Sequence, residues 1–304
     1  MRKLSVVIPV YNGAATIGRL VETVLRELSA HDPEVVLVND GSRDNSEEVC
    51  TQLALSHPSV KFISLRRNFG EHNAVMCGLN HADAEFIAII DDDFQNPPSE
   101  IEKLLREADK GYDVVYSRYR VKQHNWFRNW GSRAHNWLAT IILDKPRDLY
   151  LSSFRVMSRE LVQEVIKYRG PFPYIDGLIL RVTDNIGTCL VEHQPRAEGR
   201  SNYTLGKLVS LSLNMFLNFS VRPLRFFTAV GFALFVLGVV LSIYYFIWKI
   251  FNPDYAVGWA SLMIATLTLS GVQLLFLGLI GEYLGKNYLD RNGSPQYVIK
   301  KTVP

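Results

Sequence analysis

The acidic run Asp91-Asp92-Asp93 is the part of the sequence with the clearest chemical potential. The apolar segment Glu85–Ile90 predicts a buried strand that ends directly at these carboxylates. Unpaired carboxylates are costly to bury, so such a run indicates a cation or several hydrogen-bond donors nearby. Side chains alternate along an extended backbone, so Asp91 and Asp93 are expected to face the same way and to bind Mg²⁺ or Mn²⁺, which in turn binds a diphosphate. A solvated acidic turn is the alternative, but the rigid segment Gln95–Pro98 that follows favours the cation.

Two other residues with binding chemistry also follow, or end, predicted strands. Asp40 comes directly after an apolar segment, where its carboxylate could accept hydrogen bonds from a base or a ribose, or cap the next helix. Tyr11 could stack on a planar base, or pack as an ordinary loop aromatic. Each of these features has a structural and a functional interpretation, and both stay open at this point.

Cations are concentrated in the second half of the soluble region. Most lone arginines are solvated surface residues, but a lipid phosphate would need such donors between the sheet edge and a membrane. The candidates are Arg118, Arg128, Arg133, Arg155, Arg196, Arg200 and Lys207. The sequence has no Gly-rich phosphate loop, serine nucleophile elbow or zinc-ligand spacing, so those chemistries are not indicated.

Strands that alternate with helices over residues 1–203 predict an α/β domain with a mostly parallel sheet covered on both faces. The predicted strands are Lys3–Asn12, Glu34–Asn39, Val60–Leu65, Glu85–Ile90, Asp113–Ser117, Leu149–Met157 and Thr188–Gln194. The predicted helices are Ala14–Ser29, a helix that ends near Ser56, His72–His81, Pro98–Ala108, Trp126–Leu143 and Ser158–Tyr168. Ligands bind at the carboxyl ends of such strands. The polar residues that fall there are Tyr11, Asn12, Asp40, Arg67 and Asp91.

Two long apolar runs follow in residues 226–281. Phe226–Trp248 has no charged residue over 23 positions and Tyr255–Gly281 has none over 27, whereas roughly 20 apolar residues cross a bilayer. We therefore expect two transmembrane helices joined as a hairpin, with buried soluble helices as the alternative. Lysines and arginines flank both outer ends, which predicts that both termini are cytoplasmic. Residues 204–225 are expected to form an amphipathic juxtamembrane helix, and residues 282–304 a cytoplasmic tail.

Composition sets further bounds on the 304-residue chain. The net charge is only +3, so bulk electrostatics predicts no nucleic-acid partner. Cys50, Cys77 and Cys189 are widely spaced and odd in number, which fits a reduced cytoplasm rather than a disulfide framework. The first residues lack a signal-peptide profile. These features agree with a domain on the cytoplasmic side of a membrane.

The motifs together resemble the family 2 glycosyltransferases, which have the Rossmann-like GT-A fold. The matching segments are Val6–Asn12, Val38–Ser46, Arg67–Gly70 and Asp91–Pro98. Three more segments are similar to polyprenyl-phosphate glycosyltransferases, namely Arg196–Tyr203, Phe219–Arg225 and Gly278–Gly285. Within that group the chain resembles the undecaprenyl-phosphate 4-deoxy-4-formamido-L-arabinose transferases and, next to them, the bactoprenol glucosyltransferases.

The resemblance implies roles for individual residues. It implies that the nucleotide is held by Pro9, Tyr11, Asn12, Asp40 and Asp91. It implies that Mg²⁺ or Mn²⁺ is held by Asp91, Asp93 and Gln95, with Asp93 essential for catalysis. It implies that Arg118 and Arg133 contact the acceptor phosphate. Further phosphate contacts are implied for Arg196, Ser201 and Lys207.

Three positions depart from the family pattern. Gly13 replaces an acidic residue that usually follows Tyr-Asn, and Asp92 replaces a usually small residue. Ser152 and Ser153 stand nearest to a strand position that often carries Asp, for which the nearby Asp148 is a possible substitute. These changes bear on the donor sugar and on any general base.

The function expected from this pattern is transfer of a sugar from a nucleotide diphosphate, with UDP the expected carrier, to undecaprenyl phosphate at the cytoplasmic face of the membrane. Inversion at the anomeric carbon is implied by the family. A polymerising synthase is a rival, but its Gln-x-x-Arg-Trp motif is absent from the sequence. A catalytically silent scaffold or a flippase subunit for lipid-linked sugars is the rival from outside the enzymes. A homo-oligomer is compatible with each of these alternatives.

Overall fold

The computed structural model describes residues 2–119, 149–192, 194, 222–251 and 258–304. The chain divides into two compact units. The first comprises Met1–Leu205 and Gly293–Pro304, and the second comprises Gly206–Asn292. The first unit is therefore built from two separate stretches of the chain, and the last twelve residues belong to it.

An eight-stranded mixed sheet forms the centre of the first unit, in the order β7-β5-β6-β4-β1-β2-β3-β8. The strands are β1 Arg2–Val10, β2 Glu34–Asn39, β3 Val60–Leu65, β4 Ala84–Ile89, β5 Val114–Tyr119, β6 Arg155–Ser158, β7 Ile186–Val191 and β8 Ile299–Val303. Strands β1 to β4 pair in parallel, as do β5 and β7, whereas β6 and β8 are antiparallel to their neighbours. The predicted mostly parallel sheet is confirmed.

Six helices of the first unit accompany the strands in the described residues. They are α1 Ile17–Glu27, α2 Ser46–Ser56, α3 Glu71–His81, α4 Glu100–Ala108, α5 Arg159–Val165 and α6 Ile175–Val182. All six residues of β2 are buried, as expected for a parallel strand covered on both faces. The apolar face of α1, with Leu20 and Val24 fully buried, packs into the core cluster that contains Leu4 and Ile8 of β1.

Three element predictions differ from the structure. β6 begins at Arg155 rather than at Leu149, because Ser152 and Ser153 use their hydroxyl groups in side-chain hydrogen bonds ahead of the strand. Helix α6 and strand β8 were not predicted. The predicted helix Trp126–Leu143 and the predicted amphipathic segment Thr204–Phe219 lie outside the described residues.

The second unit contains two long helices, α7 Arg222–Phe251 and α8 Trp259–Arg291. In the part of the chain that the structure describes, no helix combines the length and the apolarity that crossing a membrane requires. The two transmembrane spans therefore stay a prediction. Residues 282–291, predicted as part of a tail, continue α8, and the chain then returns to the sheet as β8.

Candidate active site

The loops that follow β2 and β3 are fastened together by Asp40. Its carboxylate is buried and accepts hydrogen bonds from the Phe69 amide at 2.7 Å and the Gly70 amide at 2.9 Å. Burial raises the pKa of Asp40, and the two amide hydrogen bonds partly oppose this rise. Asp40 thus has a structural role at the carboxyl edge of the sheet, the edge at which its nucleotide role is also predicted.

The same two loops touch at Gly41. This residue has a φ of 63°, in the left-handed region that favours glycine. A Cβ atom at position 41 would lie 2.5 Å from the carbonyl carbon of Arg67 and 2.6 Å from the amide nitrogen of Asn68. Only glycine at position 41 allows the backbone of Arg67 and Asn68 to lie this close to the turn after Asp40. The loop that carries Arg67 can therefore lie beside Asp40 at the carboxyl edge of the sheet.

The loop after β1 is held by side chains of the segment between β2 and α2. The amide of Asn12 donates to Ser42 Oγ at 3.0 Å, and the amide of Gly13 donates to Ser46 Oγ at 3.0 Å. Asn12 adopts the left-handed conformation with φ 55°, and its side-chain Oδ1 accepts the Arg43 amide at 2.8 Å. The Asn12 side chain therefore shapes this loop in addition to any contact with a nucleotide.

The two remaining predicted nucleotide residues lie next to this loop. Pro9 is part of β1, opposite Val38 in the register, and is half-buried. The Tyr11 side chain is 43% exposed at the rim, which leaves ring surface for a planar base.

The acidic run begins two residues after β4 ends, with Ile90 between them, and includes a turn rather than an extension of the strand. The expected alternation of side chains therefore does not apply to it. Ser153 Oγ donates to Asp91 Oδ2 at 2.7 Å, the Tyr11 amide donates to Asp92 Oδ2 at 3.4 Å, and the Gln95 amide donates to Asp93 Oδ1 at 3.0 Å. The three carboxylates thus contact three different segments of the chain.

The acidic turn offers carboxylate oxygens to a divalent ion. Among the residues that the structure describes, no three His, Cys, Asp or Glu side chains form a ready-made metal-binding group. Mg²⁺, however, is commonly bound through one or two carboxylates together with substrate phosphates and water. An ionised carboxylate offers about four lone-pair positions, so a single hydrogen bond does not saturate it. Asp91 and Asp93 therefore fit the hard-oxygen chemistry of a cation that arrives with a diphosphate.

A buried polar network lies beside the acidic turn. Arg155, which is 3% exposed, forms an ion pair with Asp176, and the Tyr116 hydroxyl donates to Asp176 Oδ1 at 2.9 Å. Arg155 was among the cations expected to bind a lipid phosphate, and that expectation is wrong because its guanidinium is buried in this pair. No sequence pattern indicated the Arg155–Asp176 ion pair, because the two partners are separated along the chain.

Glu71 is a second residue that sequence reasoning missed. It begins α3, retains solvent-exposed surface and has its pKa raised to about 7, first by desolvation and then by the charge of Asp91. Contact with water screens part of this effect. Its place directly after the Arg67–Gly70 motif was the only hint in the sequence that it lies near the cleft.

The predicted phosphate-binding residues are only partly described. Arg118 lies on β5 with an exposed side chain. The other predicted cations and polar residues of this group lie outside the described residues, as does the alternative acid Asp148. They are Arg133, Arg196, Ser201 and Lys207.

Comparison with known proteins gives two family matches. Glycosyl transferase family 2 matches residues 5–166, and the GtrB C-terminal hairpin matches residues 222–286. The undecaprenyl-phosphate 4-deoxy-4-formamido-L-arabinose transferase of Enterobacter sp. (strain 638) is 33% identical over 308 residues, which cover 100% of this chain and 94% of the relative. The enzyme of the same name from Proteus mirabilis (strain HI4320) is 33% identical over 311 residues, with the same coverage.

Solved structures share the fold of the first unit. Glucosyl-3-phosphoglycerate synthase from Mycobacterium tuberculosis, in complex with Mn²⁺, UDP-glucose and phosphoglyceric acid, superimposes with a TM-score of 0.54 at 20% identity. The match covers 71% of this chain and 78% of that one. A complex of the same synthase with Mg²⁺ and UDP gives the same TM-score. Because one family match spans residues 5–166 and the relatives align along the full length, the chain belongs to glycosyl transferase family 2.

Proposed function

We propose that this protein transfers a sugar from a nucleotide-diphosphate sugar, with UDP the expected carrier, to undecaprenyl phosphate. The observation that carries the proposal is the contact of the acidic turn with the loop after β1 at the carboxyl edge of a GT-A sheet. Full-length relatives at 33% identity carry the name of undecaprenyl-phosphate sugar transferases, which supports the lipid acceptor.

The donor is proposed to lie across the loops after β1, β2 and β4. Tyr11 would stack on the base. Asp40 would accept hydrogen bonds from the base or ribose in addition to those from the Phe69 and Gly70 amides. Pro9 and Asn12 would shape the floor of this pocket. The left-handed backbone of Asn12 turns the loop out of β1, which leaves the Tyr11 ring at the rim.

The diphosphate is proposed to lie at the acidic turn, where Asp91, Asp93 and Gln95 would hold Mg²⁺ or Mn²⁺. When bound, the ion would neutralise negative charge on the departing diphosphate. The serine hydroxyl of Ser153 orients Asp91 through its 2.7 Å hydrogen bond. The left-handed residue Phe94, with φ 58°, turns the chain sharply after Asp93.

The acceptor phosphate requires alignment more than deprotonation. It is already anionic near pH 7, so a strong general base is unnecessary and inversion at the anomeric carbon can follow from in-line placement. Donors at the phosphate are proposed to be cationic side chains, with one hydroxyl. They are Arg118, Arg133, Arg196, Ser201 and Lys207.

The second unit is proposed to keep the enzyme at the cytoplasmic membrane. The match of residues 222–286 to the GtrB C-terminal hairpin and the two long uncharged runs support this proposal. A single cysteine introduced by Asp254→Cys, between the runs, tests whether the hairpin crosses the bilayer. Labelling from the periplasmic side by a membrane-impermeant maleimide is expected for crossing helices, and protection from that side would contradict crossing.

The transfer reaction is tested directly with membranes that contain the protein, a panel of UDP-sugars and undecaprenyl phosphate. Asp93→Ala is expected to reduce transfer by at least about a hundredfold, since it removes a proposed metal ligand. Asp109→Ala is the matched control, because Asp109 lies beyond α4 and pairs with Lys3 at the opposite edge of the sheet.

The product decides between this function and its rivals. A lipid that carries one sugar is expected. A long glycan would indicate a polymerising synthase. If no sugar were transferred to any acceptor, the protein would instead be a catalytically silent scaffold or a flippase subunit. Full activity of Asp93→Ala would refute the metal-binding role of that residue.

A further inference from the structure

Asp92 lies between the two proposed metal ligands but contacts the nucleotide loop, defined here as Tyr11–Gly13. Its Oδ2 accepts the Tyr11 amide at 3.4 Å. A Cβ atom on residue 13 would overlap the same oxygen and would lie 3.1 Å from Asp92 Cγ. The carboxylate therefore fills the space that any side chain at position 13 would need.

The backbone of Gly13 does not itself require glycine. Among the described glycines, positive φ angles occur at Gly41, Gly70, Gly111 and Gly293, but not at Gly13. An L-residue could adopt the Gly13 backbone conformation, so what opposes a side chain there is its neighbours. The Asp92 carboxylate is the nearest, and Val10 Cγ1 follows at 3.3 Å from the added Cβ. The two positions are sterically complementary, although they are 79 residues apart in the sequence.

The nucleotide loop is held from two sides. On one side, the successive amides of Asn12, Gly13 and Ala14 donate to Ser42, Ser46 and Asp44, respectively. Ser42 and Asp44 lie between β2 and α2, and Ser46 is the first residue of α2. Asp92 binds the remaining amide, that of Tyr11, from the β4 side. The Asp92 contact consequently ties the loop to the turn that carries Asp91 and Asp93.

We propose that the Asp92–Gly13 contact sets the distance between the base-binding loop and the cation-binding carboxylates, which makes Asp92 a positioning residue for a nucleoside diphosphate. This inference rests on the proposed function, because it assigns the base to Tyr11 and the diphosphate to Asp91 and Asp93. A ligand that engages both ends of the site depends on this distance. A ligand that engages only the loop does not.

Calorimetry on the purified full chain in detergent tests this inference, with UDP plus Mn²⁺ and with UMP alone as probes. Asp92→Ala is expected to weaken UDP–Mn²⁺ binding about tenfold, a size typical of contacting residues, and to leave UMP binding within about twofold. Asp92→Asn keeps the shape and the acceptor oxygen, so its UDP–Mn²⁺ affinity should stay within about threefold of the unmodified protein. If Asp92→Ala lost equal affinity for UDP–Mn²⁺ and for UMP, Asp92 would only stabilise the loop in general. If Asp92→Asn lost tenfold in UDP–Mn²⁺ affinity, the charge of Asp92, and not its position, would be responsible. Either result overturns the proposal.

A double-mutant cycle tests the steric complementarity without any ligand. Gly13→Ala is expected to lower the thermal unfolding midpoint in the native background and to lower it much less in the Asp92→Ala background, where only the 3.3 Å contact with Val10 Cγ1 remains. Gly18→Ala is the control, since no atom lies within 4 Å of the Cβ it would add. Equal losses from Gly13→Ala in both backgrounds would refute the pairing.

The two hypotheses fail in different ways. If the unmodified protein binds no UDP with Mn²⁺, the proposed donor site is wrong, whatever the unfolding cycle shows. If it binds UDP with Mn²⁺ and Asp92→Ala binds equally well, the donor site stands and the positioning role falls.

Discussion

At the scale of single residues, the neighbouring serines Ser152 and Ser153 ahead of β6 make different hydrogen bonds. Ser153 donates to Asp91 Oδ2 at 2.7 Å, whereas Ser152 is buried in a network with Ser117 and Tyr119. Groups that hydrogen-bond a metal-ligating carboxylate orient it and tune its affinity. Ser153 therefore belongs to the candidate site through Asp91, and Ser152 belongs to the packing behind it.

Ser153→Ala is expected to raise the Mn²⁺ concentration needed for half-maximal UDP binding by about tenfold, because Asp91 loses its orienting donor. Ser152→Ala is the matched control, which should lower the unfolding midpoint and leave the Mn²⁺ requirement within about twofold. Calorimetric titrations of Mn²⁺ at fixed UDP measure the first effect, and thermal unfolding measures the second. If Ser153→Ala needed no more Mn²⁺ than the unmodified protein, the proposal that Ser153 orients Asp91 as a metal ligand would be wrong.

His72 is expected to make the stability of the protein depend on pH. Its ring packs edge-on against Tyr174 at 5.3 Å between centroids. Burial, followed by the charge of Arg155, lowers its pKa to about 4, although Asp176 acts in the opposite direction. An unfolded histidine titrates near pH 6.5. Because the unfolded state then binds more protons, the free energy of unfolding should fall as pH decreases from about 6.5 to 4.

His72→Gln should remove this dependence. The native protein is expected to lose up to about 3 kcal/mol more than the variant over that pH range, given about 1.4 kcal/mol per pKa unit. Denaturant unfolding of both proteins at a series of pH values measures the difference. If the free energy of unfolding changed with pH equally in both proteins, the pKa of His72 would not be lowered by folding.

At the scale of elements, the sequence was most informative where burial leaves a continuous apolar run. Glu34–Asn39 and Val60–Leu65 were predicted with the bounds that β2 and β3 have in the structure, because polar turn residues enclose them on both sides. β8 escaped prediction because two lysines interrupt its short sequence Ile299–Val303. Its stability comes from pairing with β3, a partner more than 230 residues earlier.

The sequence predicted which residues of the candidate site lie together, but not the contacts between them. Parallel strands bring the residues after them to one edge, so the convergence of Tyr11, Asp40 and Asp91 follows from topology alone. The pairwise contacts Asp92–Gly13 and Ser153–Asp91 depend on the exact turn after β4, which strand alternation described wrongly. The binding roles themselves stay predictions.

The returning C-terminal segment is linked to the nucleotide side of the site. The buried Gln296 side chain donates to the carbonyl of Gly170 at 3.0 Å. The next carbonyl, that of Pro171, accepts a long 3.5 Å hydrogen bond from Asn73, whose amide group also binds the Phe69 carbonyl at 2.7 Å. Phe69 in turn donates its own amide to Asp40. These hydrogen bonds, together with the Gly170–Pro171 peptide link and the Phe69 backbone, therefore connect the tail to Asp40.

Gln296→Ala is expected to destabilise the protein by about 1–3 kcal/mol, because buried carbonyls lose a donor. It should also weaken UMP binding several-fold, in contrast to Asp92→Ala, since it acts on the Asp40 end of the site. Lys300→Ala is the control for the same tail, and it should cost under about 1 kcal/mol because the pair with Glu47 is solvent-exposed. Normal UMP affinity in a measurably destabilised Gln296→Ala would show that the tail supports the fold alone.

At the scale of the whole molecule, the chain leaves the sheet unit and later re-enters it. The sheet unit uses Gly293–Pro304 as well as the first stretch of the chain. β8 covers the outer edge of β3, and Val303 is buried against the core cluster. An uncovered edge strand exposes unpaired backbone groups and promotes association. The sheet unit is therefore complete only when the last residues are present.

This arrangement predicts that the two units can be separated, provided the tail is kept. A variant in which a flexible Gly/Ser linker replaces residues 206–292 should fold, stay out of the membrane fraction and bind UDP with Mn²⁺ within about threefold of the full chain, because the linker lets β8 pair with β3. Its transfer to undecaprenyl phosphate in membranes should fall by at least about tenfold, because the acceptor is no longer concentrated beside the site and because Lys207, a proposed phosphate contact, is removed with residues 206–292. The matched comparison is a chain that stops at residue 205, which lacks β8 and should unfold at a lower temperature and aggregate. Equal stability of the two shortened chains would remove β8 from the folding unit, and sedimentation of the linker variant with membranes would show that the second unit is not the anchor.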